Sequence, residues 1–382
     1  MAKEAAELYK EFEAYLIPPS WKDKAWDTND FKAWYETTVR DKKAIEGWWE
    51  KWAKDLFWFK KWNRVLDDSH PPFYRWFVGG ETNLAYLATD WQVELGRKNK
   101  LALIWEGEPW DEAMQQPKEI RKFTFYDLFR ESNSISFALR EKLGVKRGEV
   151  LTFYLPMIPE LPLYMLAVQR LGAQHSAVYS GFSADALATR AIDSRSRIIV
   201  TADGLYRRGK TINLKPIVDE AVKISAQNGH KIDKVVVVKR VGRDTPWNED
   251  RDIWHHELTA DISKNVNVPA ERCGSEDFSY VLYTSGTTAA PKGAQLPVGG
   301  YAVALYATMK LIFDVRQDDI YWCTADIGWV TGHSYIVYGP LMTGLTSVMY
   351  EGAPDYPRPD RWWNILHRYG VTLFYTTPTA IR

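Results

Sequence analysis

Between residues 150 and 238 the chain repeats one pattern, a short apolar run followed by a stretch with helical spacing. Val150-Leu151-Thr152-Phe153-Tyr154-Leu155, Ser176-Ala177-Val178-Tyr179, Arg197-Ile198-Ile199-Val200-Thr201 and Val235 to Val238 have the length and content of buried strands. Pro159 to Leu171 and Ala184 to Asp193 read as the helices between them. Parallel strands need a crossover, usually one helix, so this alternation predicts an α/β fold with doubly wound, mostly parallel sheets. Upstream, Ala102 to Trp105 predicts a strand. Thr124 caps a helix running to about Leu143, and Gly144 closes it.

The first ninety residues have a different texture. Ile45, Trp48, Trp49, Trp52, Leu56 and Phe59 recur at three and four, with lysines between them, which predicts an aromatic amphipathic helix. Such a helix can lie on a membrane or meet a nucleic acid, but its tryptophans are expected to pack against the main body and its lysines to face water. Lys plus Arg and Asp plus Glu both number 49, so no excess of positive charge points to a nucleic-acid or anionic-membrane surface. The N-terminus mixes acids with bases, unlike a signal peptide. The longest apolar stretch, Leu161 to Tyr179, is broken by Gln169, Arg170, Gln174 and His175. Two cysteines, Cys273 and Cys323, cannot build a disulfide framework, and the expected compartment is the cytoplasm. The adjacent pair His255-His256 reads as surface, not as a metal site.

In a doubly wound sheet ligands bind beyond the carboxyl ends of the strands. Three segments occupy such positions: 180–183, 202–210 and 284–293. The last, Thr284-Ser285-Gly286-Thr287-Thr288-Ala289-Ala290-Pro291-Lys292-Gly293, holds four hydroxyls, two glycines and a lysine directly after the apolar run Tyr280 to Tyr283. Freed backbone N–H groups and hydroxyls can wrap phosphate oxygens, with Lys292 supplying charge. It is not a Walker A loop: counting from Gly286, Pro291 stands where the second glycine belongs and Gly293 follows the lysine. Gly332-His333-Ser334-Tyr335-Ile336 likewise lacks the closing glycine of a nucleophile elbow. At 207–210 three cations fall within four residues, a second candidate for phosphates.

The loop at 283–293 resembles the phosphate-binding motif of the adenylate-forming superfamily, which contains acyl-CoA synthetases, luciferases and peptide-synthetase adenylation domains. The stretch from Trp322 to Tyr335, then Tyr350-Glu351-Gly352-Ala353-Pro354 and Tyr375 to Arg382, is similar to motifs of its acetyl-CoA synthetase subgroup. Arg75-Trp76-Phe77 and Asn83 resemble the cap preceding the adenylation domain of that subgroup. The resemblance implies a cap over 25–93 and an AMP-binding domain over 94–382, incomplete before the small C-terminal domain. It implies ATP, coenzyme A and Mg2+ as cofactors, and acetate or another short carboxylate as substrate.

Residue by residue, the resemblance assigns Thr284, Ser285, Gly286, Thr287, Thr288, Lys292 and Gly293 to the ATP pyrophosphate. It assigns Ser180, Gly181, Arg207, Arg208, Gly209, Lys210, Thr331 and Asp355 to coenzyme A, and Trp329, Val330 and Thr331 to the acyl pocket. Ala289-Ala290 departs from the family's glycine and lysine, Ser180 from a common glycine, and Asp355 from the usual asparagine. The family's adenylation lysine and metal-binding glutamate have no counterpart up to Arg382, which leaves no certain catalytic residue, no metal ligand and room for a second chain supplying the rest. Three readings stay open: an AMP-forming acetate–CoA ligase, a silent nucleotide- or coenzyme-A-binding or structural subunit, and a propionyl- or 3-hydroxypropionyl-CoA ligase.

Overall fold

The structure is a computed structural model that describes residues 28–284 and 291–381. The chain divides into two compact units between Lys54 and Asp55. The described part of the first is a pair of helices, Thr28–Thr38 and Lys42–Lys54. There Trp48 meets Trp34 edge-on at 5.2 Å and Trp52 at 5.6 Å. The helix read from Ile45 through Phe59 ends at Lys54, so Leu56 and Phe59 lie beyond it.

The second unit is built on two sheets. In chain order their strands are β1 (Leu101–Glu106), β2 (Ile120–Thr124), β3 (Val150–Tyr154), β4 (Gln174–Ala177), β5 (Ile198–Ala202), β6 (Lys234–Val238), β7 (Asp252–Trp254), β8 (Phe278–Thr284), β9 (Lys292–Pro297), β10 (Ile320–Cys323), β11 (Thr346–Tyr350) and β12 (Leu373–Tyr375). Seven form a sheet of order β7-β6-β5-β3-β4-β8-β9, and five a sheet of order β12-β10-β11-β1-β2. Each sheet is parallel except for one antiparallel edge strand, β9 in the first and β2 in the second. This is the doubly wound, mostly parallel α/β arrangement that the alternation of strand and helix predicts.

Burial explains why the pattern was strong. The helix Glu160–Arg170 between β3 and β4 is buried at every residue, and β5 is buried along its whole length. Thr124 caps the helix Phe125–Glu141 as expected, in a capping box with Asp127. The smaller sheet closes over Ile104, Trp322, Val348, Tyr350 and Ile365, the last on the amphipathic helix Arg361–Tyr369. That helix is anchored by the buried pair of Arg361 and Glu106 at 3.0 Å.

Three expectations shift. The strand read over 176–179 lies two residues earlier, at β4, because the polar Gln174 and His175 are buried there. His175 stacks on Phe153 at 5.5 Å and on Tyr280 at 5.5 Å, and burial holds its imidazole well below the ordinary range. The segment 202–210 is no loop into a helix but a hairpin, Gly204–Arg207 paired with Lys210–Asn213. His255 is not simply on the surface: it is half-buried, its Nδ1 2.9 Å from the Tyr164 hydroxyl.

Candidate functional site

β3 is the point where strand order reverses: the chain steps from β3 to β4 on one side, then crosses to β5 on the other. A crevice beyond the carboxyl ends is expected at such a switch. A cavity of about 860 Å³ lies there, lined by Pro156 and Met157 after β3, by 179–182 after β4, and by Leu205, Tyr206 and Arg207 of the hairpin. The second sheet supplies the opposite wall, through Trp322 to Asp326 at the end of β10, Tyr350 to Gly352 at the end of β11, and Tyr375 to Thr377 at the end of β12.

The turn after β4 is held from below. The buried Tyr154 hydroxyl donates to the carbonyl pair of Ser180, at 2.9 Å, and Phe182, at 2.7 Å. Both Ser180 and Gly181 line the cavity.

The basic hairpin turns through Arg208 at φ +52° and Gly209 at φ +71°. Positive φ at both central residues makes this a two-residue type I′ turn, whose twist matches the flanking strands. Gly209 is needed twice over, because a Cβ there would also run into the Tyr356 ring. Arg207 and Lys210 are directly paired across the hairpin, so their side chains leave from the same face. Arg207 lines the cavity and donates to the Gly352 carbonyl at 3.2 Å, whereas Arg208 turns to Asp355 in an exposed ion pair at 3.1 Å. Asp355 therefore sits beside a cation of the hairpin instead of standing alone.

Thr331 and Trp329 line the cavity, with Trp329 half-exposed and edge-on to Phe182 at 6.3 Å. Val330 is outside the lining and 45% exposed. In the phosphate segment Ser285, Gly286, Thr287 and Thr288 lie outside the described residues. Thr284 and Lys292 are partners in the antiparallel ladder of β8 and β9, and Tyr283 pairs with Gly293, so Lys292 and Gly293 belong to a strand. A Cβ on Gly293 would stand 3.0 Å from Val281 and 3.1 Å from the Tyr283 ring, so the close approach favours glycine. The loop thus springs from a clamped hairpin whose two ends are the predicted Thr284 and Lys292. Among the described residues no three His, Cys, Asp or Glu side chains converge to hold a metal, so no step below runs through magnesium.

Sequence reasoning missed the carboxylates. Glu351, in the cavity wall, pairs with Arg240 at 2.6 Å, and Arg240 also reaches Glu119 at 2.5 Å. Burial pushes the Glu351 carboxyl up to about 7, against the pull of Arg240. Asp326 accepts from the Gly328 amide at 2.7 Å, and burial pushes its carboxyl up to about 6. Asp203 accepts from the amides of Arg240, Val241 and Gly242, between 2.7 and 2.9 Å, tying the turn after β6 to the base of the hairpin. Both Asp326 and Glu351 stood inside the motif stretches, but nothing in an isolated acid says that it lines a cavity.

Residues 91–382 match the family described as AMP-binding enzyme, which covers most of the chain. The chain belongs to the AMP-binding enzyme family. Residues 24–88 match a second description, acetyl-coenzyme A synthetase N-terminus. Over 372 residues, 97% of this chain, the sequence is 53% identical to an acetyl-coenzyme A synthetase of Pyrobaculum aerophilum. Identity to the acetyl-coenzyme A synthetase of Methanothrix thermoacetophila is 48% over 87% of the chain, and to that of Deinococcus radiodurans 46% over 97%. The matched parts are 54%, 49% and 55% of those proteins, so the chain spans about half the length of these curated relatives. Among the described residues no helix is long and apolar enough to cross a membrane.

Proposed function

We propose that this chain carries the coenzyme A and acyl-binding face, and one clamp of the ATP phosphate loop, of an AMP-forming acetate–CoA ligase. In that reaction acetate displaces pyrophosphate from ATP to give acetyl-adenylate. The coenzyme A thiol then displaces AMP to give the thioester. The observation that carries the reading is the shared cavity: Arg207 of the basic hairpin and Trp329 and Thr331 of the predicted acyl wall line one space. A phosphorylated ligand anchored at the hairpin can therefore reach the acyl wall without leaving the protein.

The residues divide the work by their chemistry. Arg207 and Lys210 offer cations to coenzyme A phosphates from one face of the hairpin. Ser180 and Gly181, braced by Tyr154, form the opposite lip. Tyr179, Phe182, Trp322 and Trp329 supply apolar walls that strengthen any charge interaction inside by excluding water. The buried, unpaired thiols of Cys273 and Cys323 favour the reducing cytoplasm as its location.

The activity is tested by acetate-dependent exchange of pyrophosphate into ATP, with the chain extended by the C-terminal half of the Pyrobaculum aerophilum relative. Exchange stimulated by acetate is the expected result. Exchange absent with every short carboxylate, in a folded protein that still binds ATP and coenzyme A, would leave a binding role without turnover.

A further inference from the structure

We propose that Glu108 is a positioning residue: it pins the basic hairpin to residues 352–355 and so sets where the hairpin's cations meet a phosphate, a role that rests on the coenzyme A reading above. Glu108 follows β1 and is completely buried. One carboxylate oxygen accepts from the Gly209 amide at 3.0 Å, and the other accepts from the Ala353 amide at 2.7 Å. Among the described residues no lysine, arginine or histidine is ion-paired with it. A buried carboxylate without a cation costs several kcal/mol unless hydrogen bonds satisfy it. Among the described residues its two donors come from two separate segments, and each segment carries residues assigned to coenzyme A. Gly209 closes the turn that presents Arg207, Arg208 and Lys210, while Ala353 lies two residues before Asp355.

The other links between these segments are weaker. Arg207 to the Gly352 carbonyl and Arg208 to Asp355 are both made by exposed side chains, where water competes. The Tyr206 amide of the hairpin also reaches the buried Glu351 carboxylate, but only at 3.5 Å, so Glu108 makes the shorter buried link. The packing around it leaves little freedom: a Cβ on Gly352, which sits at φ +149°, would press on the Glu108 Cβ at 2.8 Å. The turn itself holds a non-glycine residue, Arg208, at positive φ, a conformation that needs outside support. A charged acceptor beneath Gly209 provides it.

The test compares the parent chain with Glu108→Ala and Glu108→Gln. In Glu108→Ala, amide hydrogen exchange at Gly209 and Ala353 should quicken at least tenfold, while β3 to β6 keep their protection. The coenzyme A dissociation constant, read by calorimetry, should rise about tenfold, the equivalent of about 1.4 kcal/mol. Glu108→Gln keeps one acceptor and should fall between parent and alanine variant. If Glu108→Ala does not fold, weaker coenzyme A binding than the parent's in Glu108→Gln, together with faster exchange at Gly209 and Ala353, carries the test alone. Coenzyme A affinity unchanged in a variant whose two amides have loosened would overturn the positioning role and leave the coenzyme A reading standing. A parent chain that binds no coenzyme A would overturn both.

Discussion

Replacing Asp355 by asparagine should tighten coenzyme A binding. In the structure Asp355 pairs with Arg208 at 3.1 Å, with side chains 47% and 64% exposed. An exposed pair of this kind is worth about 0.2–1 kcal/mol, and a ligand phosphate that takes Arg208 must first break it. The freed carboxylate then faces the phosphate. At about 4 Å in a water-like medium that repulsion is roughly 1 kcal/mol. Asparagine removes both costs, which together give about 1–2 kcal/mol, or roughly a 5- to 30-fold lower dissociation constant. Isothermal titration of Asp355→Asn and parent at low and physiological salt measures it. The gain should shrink as salt rises, because the charges are screened over about 8–10 Å. An affinity equal to or weaker than the parent's at low salt would refute the idea that Asp355 competes for the hairpin's cations.

Asp326→Asn should stabilise the protein above pH 6. The folded carboxyl is raised from 3.8 to about 6, so its contribution is full below about pH 4 and lost as pH rises through 6. At 1.36 kcal/mol per pH unit the gain is at most about 3 kcal/mol, less because the group borders a cavity open to water. Denaturant melts at pH 4 and pH 8 should diverge, and a difference that is the same at both would contradict the assignment. Tyr154→Phe leaves the carbonyls of Ser180 and Phe182 without their donor and should cost about 1–3 kcal/mol. A melting temperature equal to the parent's would mean that the turn is held by something else.

What was legible in the sequence is what burial wrote there. β3, β5 and β6 stand out because both faces of a central parallel strand are covered, which leaves a nearly continuous apolar run. β9 could not be read, since Lys292-Gly293-Ala294-Gln295 is exposed and becomes a strand only through its pairing with β8. The hairpin escaped for a related reason. Its turn carries charge, its strands have little apolar alternation, and its anchors, Asp203 and Glu108, are distant or buried acids. In the site, cations announced themselves by clustering at 207–210, and those of Arg207 and Lys210 do share a face. The buried carboxylates of Glu108 and Glu351 did not, because their environment is set by segments a hundred or more residues away. Arg240 reaches Glu351 and Glu119 across such separations.

On the proposed function, the cavity between the two sheets receives coenzyme A with its phosphates on the basic hairpin. Calorimetric titration of the chain with coenzyme A and with dephospho-coenzyme A tests it, alongside the double variant Arg207→Ala, Lys210→Ala. Coenzyme A should bind saturably, and in the variant the binding should weaken at least tenfold and lose much of its salt dependence. Dephospho-coenzyme A should weaken little if the hairpin meets the 3′-phosphate, and equally if it meets the diphosphate. A parent chain that binds neither ligand, or a variant that binds coenzyme A as the parent does, would contradict it.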